Sequence, residues 1–120
     1  MAQHNELGKW GETIAADYLA KKGYTIIDRD WHSGHKDIDI VAQKDDETIV
    51  FVEVKTRSND VFTAPQDAVD YKKMQNLRKS INNYLQSKQI DCDVEFHIIA
   101  IVGTPETGYK LDHIADIDVF

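Results

Sequence analysis

The segment from Thr48 to Lys55 constrains the fold more than any other part of the chain. Its residues are β-branched or apolar on both faces, which is typical of a strand at the centre of a sheet. The segment nevertheless ends in a carboxylate and an ammonium, Glu53 and Lys55, and strand alternation places both on one face. We therefore expect a sheet built around this strand, with charged groups at the strand's end.

The neighbouring segments predict an α/β fold. Apolar residues recur at helical spacing before Gly23, which is typical of a helix stop, and a polar turn joins the second and third strands as a hairpin. A second helix returns the chain by a crossover, giving a mixed sheet flanked by helices in the order αβββαβ. The predicted segments are a helix over 6–22, strands starting at Tyr24 and covering 37–42 and 48–55, a helix from Pro65 to Lys88, and a strand over 94–102. The segment after Tyr109 is predicted as an edge strand or a short helix.

Composition limits the classes of protein that the chain can belong to. Its 120 residues, 42% of them hydrophobic, predict a single domain over 1–120. No segment approaches the roughly 18 apolar residues of a spanning helix, so we expect a cytoplasmic protein without a membrane partner. Cys92 is the only cysteine, which excludes an internal disulfide. The net charge of −7 argues against a protein that coats nucleic acid, so any such contact is expected to be local.

Two carboxylates are predicted to meet across the hairpin. A turn centred on Asp45 and Asp46 puts Asp39 opposite Glu53, with Cβ atoms roughly 4.5–5.5 Å apart. A hard cation such as Mg²⁺ removes their repulsion, and Lys55 beside them could orient an attacking water or stabilise charge on a phosphate. The alternative is a plain ion pair of Glu53 with Lys55 and a solvated Asp39, which is the commoner arrangement for so few residues.

The two predicted helices add candidates for the same site. Glu12 lies at the margin of the apolar arc of the first helix, where it could reach the sheet edge, and Gly8 and Gly11 would let that helix approach closely. Lys73 borders the inward stripe of the second helix. Its alternative is an i,i+3 pair with Asp70.

Other polar residues have simpler interpretations. Arg78 and Lys79 add to the positive charge of the second helix, but a solvated helix face is the simpler interpretation for both. His32, His35 and His113 lack a metal-ligand spacing and are interpreted as surface or hydrogen-bonded histidines.

Several motifs together resemble the YraN-like family of small, uncharacterised bacterial proteins, and the match covers most of the chain. That family is similar to the restriction-endonuclease-like, PD-(D/E)xK superfamily, which includes archaeal Holliday-junction resolvases. The motifs are Gly8-x-x-Gly11-Glu12, the D-I-D-I run ending in Asp39-Ile40, the block Phe51-Val52-Glu53-Val54-Lys55-Thr56-Arg57, Ala68-Val69-x-x-x-Lys73 and the strand around Phe96. The resemblance implies catalytic roles for Glu12, Asp39, Glu53, Lys55 and Lys73. Two departures are Lys36-Asp37, where the family commonly has Gly-Glu, and Glu95-Phe96-His97, where it often has Arg-Phe-Asp.

The resemblance implies a metal-dependent endonuclease that hydrolyses DNA phosphodiester bonds. Mg²⁺ or Mn²⁺ would be held by Asp39, Glu53 and the carbonyl of Val54, while Arg57 and Lys73 would contact phosphates. A homodimer that recognises DNA shape, such as a junction or flap, is favoured over a sequence reader. The alternatives are a non-catalytic nucleic-acid-binding module on the same scaffold and a structural adaptor that binds no nucleic acid.

Overall fold

A computed structural model describes residues 6–33, 36–58 and 71–117, which form two helices and one five-stranded sheet. The elements are α1 (Glu6–Lys21), β1 (Thr25–Ser33), β2 (Lys36–Asp45), β3 (Thr48–Arg57), α2 (Tyr71–Lys88), β4 (Asp93–Thr104) and β5 (Gly108–Ile114). The predicted α/β class and element order are confirmed, with one strand added at the end. Of the two structures predicted for the segment after Tyr109, this strand confirms the edge strand. The predicted helix start at Pro65 lies outside the described residues.

The strands lie in the order β1-β2-β3-β4-β5, with β3 at the centre as predicted. All neighbours are antiparallel except β3 and β4, which are parallel. The predicted hairpin of β2 and β3 is confirmed, and its turn is held by the Glu47 amide, which donates to Asp45 Oδ1 at 2.9 Å. Since α2 returns the chain from the carboxyl end of β3 to the start of β4, its N-terminus lies at the end of β3 that carries Lys55.

Each face of the sheet buries one core under one helix. Neither described helix is long and apolar enough to cross a membrane. The α1 face consists of Ala15, Ala16, Leu19, Ile40, Ala42, Val50, Val52, Ile99 and Ile101. The α2 face consists of Ile38, Val41, Ile49, Phe51, Leu77, Ile81, Tyr84, Phe96 and Ile98.

Helix α1 approaches β3 closely at Gly11, as its sequence predicts. A Cβ atom built on Gly11 would overlap the side chain of Thr56, so only glycine fits at this distance. The helix ends at Lys21, and the chain turns at Gly23, whose φ of 98° is a left-handed conformation that glycine adopts without steric cost. The Gly11 contact fixes the height of the neighbouring Glu12 above the sheet.

Helix α2 is anchored to the sheet by Tyr84. The ring is 1% exposed and packs edge-on against Trp31 and Phe51, with centroids 5.2 and 5.5 Å away. Its hydroxyl donates to Asp28 Oδ2 at 2.6 Å. Burial and the carboxylate together raise the pKa of Tyr84, so the phenol stays protonated and keeps donating.

Replacing this phenol tests how strongly the hydrogen bond holds α2. We expect Tyr84→Phe to lower the free energy of unfolding by about 1.5–3 kcal/mol, because the lost bond is made to a carboxylate. The measurement is urea denaturation, with Tyr109→Phe as a control because Tyr109 is 50% exposed. The control should change stability by less than about 0.5 kcal/mol. Equal stability of the two variants would contradict this role.

Candidate metal centre

The regular geometry of β1 and β2 breaks at Asp30 and Asp39. Arg29 pairs with Ile40 and Trp31 pairs with Ile38, so the register is the same on both sides of these two residues. Asp30 has a φ of 52°, a left-handed conformation that Asp tolerates better than most residues. This backbone turn changes where the flanking side chains point.

The break reverses the alternation of both strands. Regular alternation would put Arg29 and Trp31 on one face, since they are two residues apart. Instead Arg29 donates to Thr13 of α1 at 3.3 Å, while Trp31 packs on the α2 face. Ile38 and Ile40 likewise belong to opposite cores. The residues in between, Asp30 and Asp39, are therefore left outside the regular alternation of either core.

Strands β2 and β3 also separate at this point. Their register begins at Ile40 and Val52, and β2 residues before Ile40 pair only with β1. The Val54 amide donates instead to Asp39 Oδ2 at 2.9 Å. A side-chain carboxylate thus replaces a backbone carbonyl as acceptor, which satisfies the amide and fixes the orientation of Asp39.

Helix α1 brings a third carboxylate to the break. Glu12, Asp30 and Asp39 each offer an oxygen, and these oxygens all lie within 4.8 Å of one another. Glu12 is 9% exposed, Asp39 is half-buried and Asp30 is exposed. We name these three residues the carboxylate cluster.

The electrostatics of the cluster suit a cation. Burial, a hydrogen bond to Asp30 and the charges of Asp39 and Asp30 raise the pKa of Glu12 from 4.5 to about 8. Like charges held this close and partly out of water repel one another. Oxygen donors of this kind are the ligands that Mg²⁺ and Mn²⁺ prefer, so the donor set fits the predicted metal.

Glu53 and Lys55 form an ion pair on β3. Lys55 Nζ is 3.4 Å from Glu53 Oε2, and the side chains are 15% and 11% exposed. The two residues flank Val54, whose amide holds Asp39. The ion pair that the sequence left open is therefore present. Among the described residues, Glu53 is not part of the group of three convergent carboxylates.

The remaining predicted residues fall at the same end of the sheet. Val54 is half-buried and pairs with Ile99 of β4. Arg57 is exposed at the last position of β3, where its Nη1 donates to the Thr56 carbonyl at 2.9 Å. Lys73 belongs to the first turn of α2, and its side chain lies outside the described residues. The choice between Lys73 as a site residue and a pair with Asp70 stays a prediction.

Sequence reasoning did not identify Asp30. In β1 it precedes Trp31 in an unremarkable polar stretch, and alternation gives no reason to place it beside Asp39. Its position depends on the left-handed backbone at Asp30 itself, which no local pattern specifies. One signal in the sequence did point to Asp30. If the first predicted strand extends to Ser33, Asp30 and Asp39 face each other across the predicted turn.

A second polar network lies at the other end of the α1 face. His97, 0% exposed, has Nε2 2.9 Å from Glu95 Oε1 and Nδ1 2.8 Å from His113 Nε2. His113 Nδ1 is in turn 3.0 Å from the Tyr18 hydroxyl, and Lys44 donates to Glu95 at 3.2 Å. Burial, followed by the charges of His97 and Lys22, lowers the pKa of His113 to about 4.

The late-strand residues Glu95 and His97 belong to this hydrogen-bond network. The Glu95 carboxylate only accepts hydrogen bonds, so the proton of His97 resides on Nε2. Nε2 of His113 then donates to Nδ1 of His97, and Nδ1 of His113 accepts from the Tyr18 hydroxyl. His113 is thus a hydrogen-bonded histidine, as its sequence context predicts. Glu95 and His97 make a satisfied structural network at a distance from the carboxylate cluster.

Comparison with known proteins agrees with the resemblance drawn from the motifs. A family model described as "Uncharacterised protein family UPF0102" matches residues 11–101, and this family is the YraN family. A UPF0102 protein of Bacteroides thetaiotaomicron is 47% identical over 117 residues, covering 97% of this chain and 94% of the relative. A UPF0102 protein of Flavobacterium psychrophilum is 43% identical over 116 residues, covering 97% and 96%.

The raised pKa of Glu12 makes the stability of the metal-free protein depend on pH. Between pH 4.5 and about 8 the folded protein keeps a proton that the unfolded chain releases, so stability falls as pH rises through this window. We expect Glu12→Gln to remove most of this slope and to melt at least about 4 °C above the wild type near pH 8. Thermal melts in a chelator measure both quantities.

The matched control is Asp17→Asn, which neutralises an exposed acid on the same helix. It should keep the pH dependence of the wild type. If the melting temperature of Glu12→Gln falls with rising pH as steeply as that of the wild type, Glu12 is not held in a repulsive environment.

Proposed function

The chain belongs to the uncharacterised protein family UPF0102, and we propose that it is a metal-dependent endonuclease that hydrolyses DNA phosphodiester bonds. The observation that carries the proposal is the convergence of Glu12, Asp30 and Asp39 within 4.8 Å, where Asp39 accepts a hydrogen bond from the central strand. Repulsive carboxylates at a break in two strands reduce stability. A bound cation would remove the repulsion between the carboxylates and so restore the lost stability.

The carboxylate cluster is the proposed holder of Mg²⁺ or Mn²⁺, and Asp39 is its most firmly oriented ligand. Asp39 Oδ2 already accepts the Val54 amide, so its other oxygen keeps a defined direction. Glu53 and the Val54 carbonyl complete the proposed ligand set. When bound, the cation would polarise a phosphate and lower the pKa of a coordinated water.

Lys55 is the proposed catalytic partner of the carboxylates. The contact of its ammonium with Glu53 limits where Nζ can lie, and its 15% exposure keeps water from screening the charge fully. A cation so placed can hold the attacking water or stabilise the charge that develops on the phosphate. Arg57, at the end of β3, and Lys73, at the start of α2, are the proposed phosphate contacts.

Substrate shape is the proposed basis of recognition. The sheet and two helices fill the described chain without a separate module that could read base sequence. Backbone contacts position a protein on DNA without reading its sequence. A homodimer acting on junctions or flaps therefore fits the proposal better than a sequence-specific enzyme, by analogy with the resolvases.

The test is a cleavage panel of linear, nicked, flapped and four-way DNA, with Mg²⁺ or Mn²⁺ and with a chelator. The proposal predicts cleavage only with metal, and its loss in Asp39→Asn. If the protein is folded and metal-bound but cuts no DNA or RNA, the enzyme proposal is wrong and the alternative, a non-catalytic binding module, takes its place. Cleavage that persists in the chelator would also contradict the proposal.

Lys55→Ala separates catalysis from folding. Strand β3 is held by buried Ile49, Phe51 and their neighbours, so removing an ammonium at its end should leave the fold and metal binding intact. The cleavage rate should fall by roughly 10² or more, the scale typical of one catalytic group, while DNA affinity changes much less. Single-turnover rates and binding titrations measure the two effects.

The control is Lys110→Ala, which removes an exposed lysine from β5 and should cut at the wild-type rate. Glu53→Ala should behave differently from Lys55→Ala, because loss of a proposed ligand weakens metal affinity and cleavage together. If Lys55→Ala cuts as fast as the wild type, the catalytic role of Lys55 is wrong.

A further inference from the structure

Helix α2 concentrates positive charge in an acidic chain. It carries five of the 14 basic residues and none of the 21 acidic ones, although the whole chain has a net charge of −7. The basic residues are Lys72, Lys73, Arg78, Lys79 and Lys88. The rest of the chain is therefore more acidic than its total charge suggests.

The outward face of α2 presents hydrogen-bond donors along its length. The buried side of the helix, including Leu77, Ile81 and Tyr84, packs on the sheet. The opposite side is exposed and combines cations with amides. Its described members are Gln75, Arg78, Lys79, Asn82 and Gln86. We name these five residues the α2 donor face.

The electrostatics of α2 differ from those of an ordinary solvated helix. Surface helices gain stability from oppositely charged i,i+4 pairs and from acidic residues in the first turn. The sequence of helix α2 contains no acidic residue. Basic residues on one helix repel one another, and a bound polyanion would relieve that repulsion.

The donor face begins at the end of the sheet that carries Lys55. The first turn of α2 lies at the carboxyl end of β3, where Lys55 and the exposed Arg57 end the strand. From there the face runs away along the helix, and Gln75 to Gln86 spans about 16 Å at 1.5 Å per residue. Duplex DNA carries one phosphate per about 3.4 Å of each strand, so this length covers several phosphates.

We infer that the α2 donor face binds the phosphate backbone of duplex nucleic acid. The inference rests on the proposed function only for the choice of partner, since binding needs neither metal nor cleavage. Side-chain amides and cations are the usual donors to phosphate oxygens. Arg78 and Lys79 would provide the charge, and Gln75, Asn82 and Gln86 neutral hydrogen bonds.

The chemistry of the face favours nucleic acid over other partners. A helix that lies on a membrane keeps an apolar face for the lipid, but α2 has already buried its apolar face against the sheet. Protein interfaces are usually centred on aromatic or aliphatic anchors. The large hydrophobic side chains that are exposed in the described residues, Ile27 and Tyr109, both lie on other elements.

The test measures binding of a labelled duplex of about 20 base pairs in a chelator, so that nothing is cut. Arg78→Gln/Lys79→Gln keeps good helix formers, and Lys9→Gln/Lys21→Gln removes the same charge from the exposed side of α1. Fluorescence anisotropy between about 50 and 200 mM salt gives the affinity and its salt dependence. Circular dichroism verifies that both proteins are folded.

We expect the α2 variant to bind about tenfold more weakly at low salt, with the salt slope reduced by about two, and the α1 control to stay within about twofold of the wild type. Equal losses in both variants would show that only net charge matters and would overturn the inference. A wild type that binds anionic phosphatidylserine vesicles but no duplex would also overturn it.

Further binding measurements separate this inference from the proposed function. Asp39→Asn should bind the duplex as tightly as the wild type, because Asp39 is not on the donor face. If the wild type never cuts but the α2 variant loses binding, the nuclease proposal fails and the donor face stands. Comparison of duplex DNA with duplex RNA then decides which nucleic acid the face prefers.

Discussion

The hydrogen bond from the Val54 amide to Asp39 Oδ2 is the interaction on which the site depends. Where β2 leaves β3, an amide of the central strand would lose its acceptor, and an unsatisfied buried amide costs about 1–3 kcal/mol. The Asp39 carboxylate supplies the acceptor, so the two strands can separate without that loss. The same bond turns Asp39 toward α1, which Gly11 allows to approach closely enough for Glu12 to reach it.

Local rules are broken together at this end of the sheet. Asp30 adopts a left-handed conformation, alternation reverses in β1 and β2, and three carboxylates are held within 4.8 Å. Each sheet face buries an apolar core, and no described buried side-chain polar atom lacks a hydrogen-bond partner. Several departures that meet at one place are typical of a functional site.

The sequence predicts those features that depend on regular periodicity. Helix α1, the central strand and the hairpin follow from apolar spacing, and the inward position of Glu12 follows from its place at the margin of the apolar arc of the helix. Asp30 was not predicted, because its place in the cluster depends on a backbone turn that reverses alternation. The His97–His113 contact was equally hidden, since it joins residues of two strands whose pairing the sequence left open.

Anomalous X-ray diffraction from crystals soaked in Mn²⁺ tests the central claim most directly. The account predicts a manganese peak within coordination distance of Asp39 and of at least one other carboxylate of the cluster, and no such peak in Asp39→Asn crystals. Well-ordered crystals in millimolar Mn²⁺ with no peak at the cluster, or with the same peak in Asp39→Asn, would contradict it.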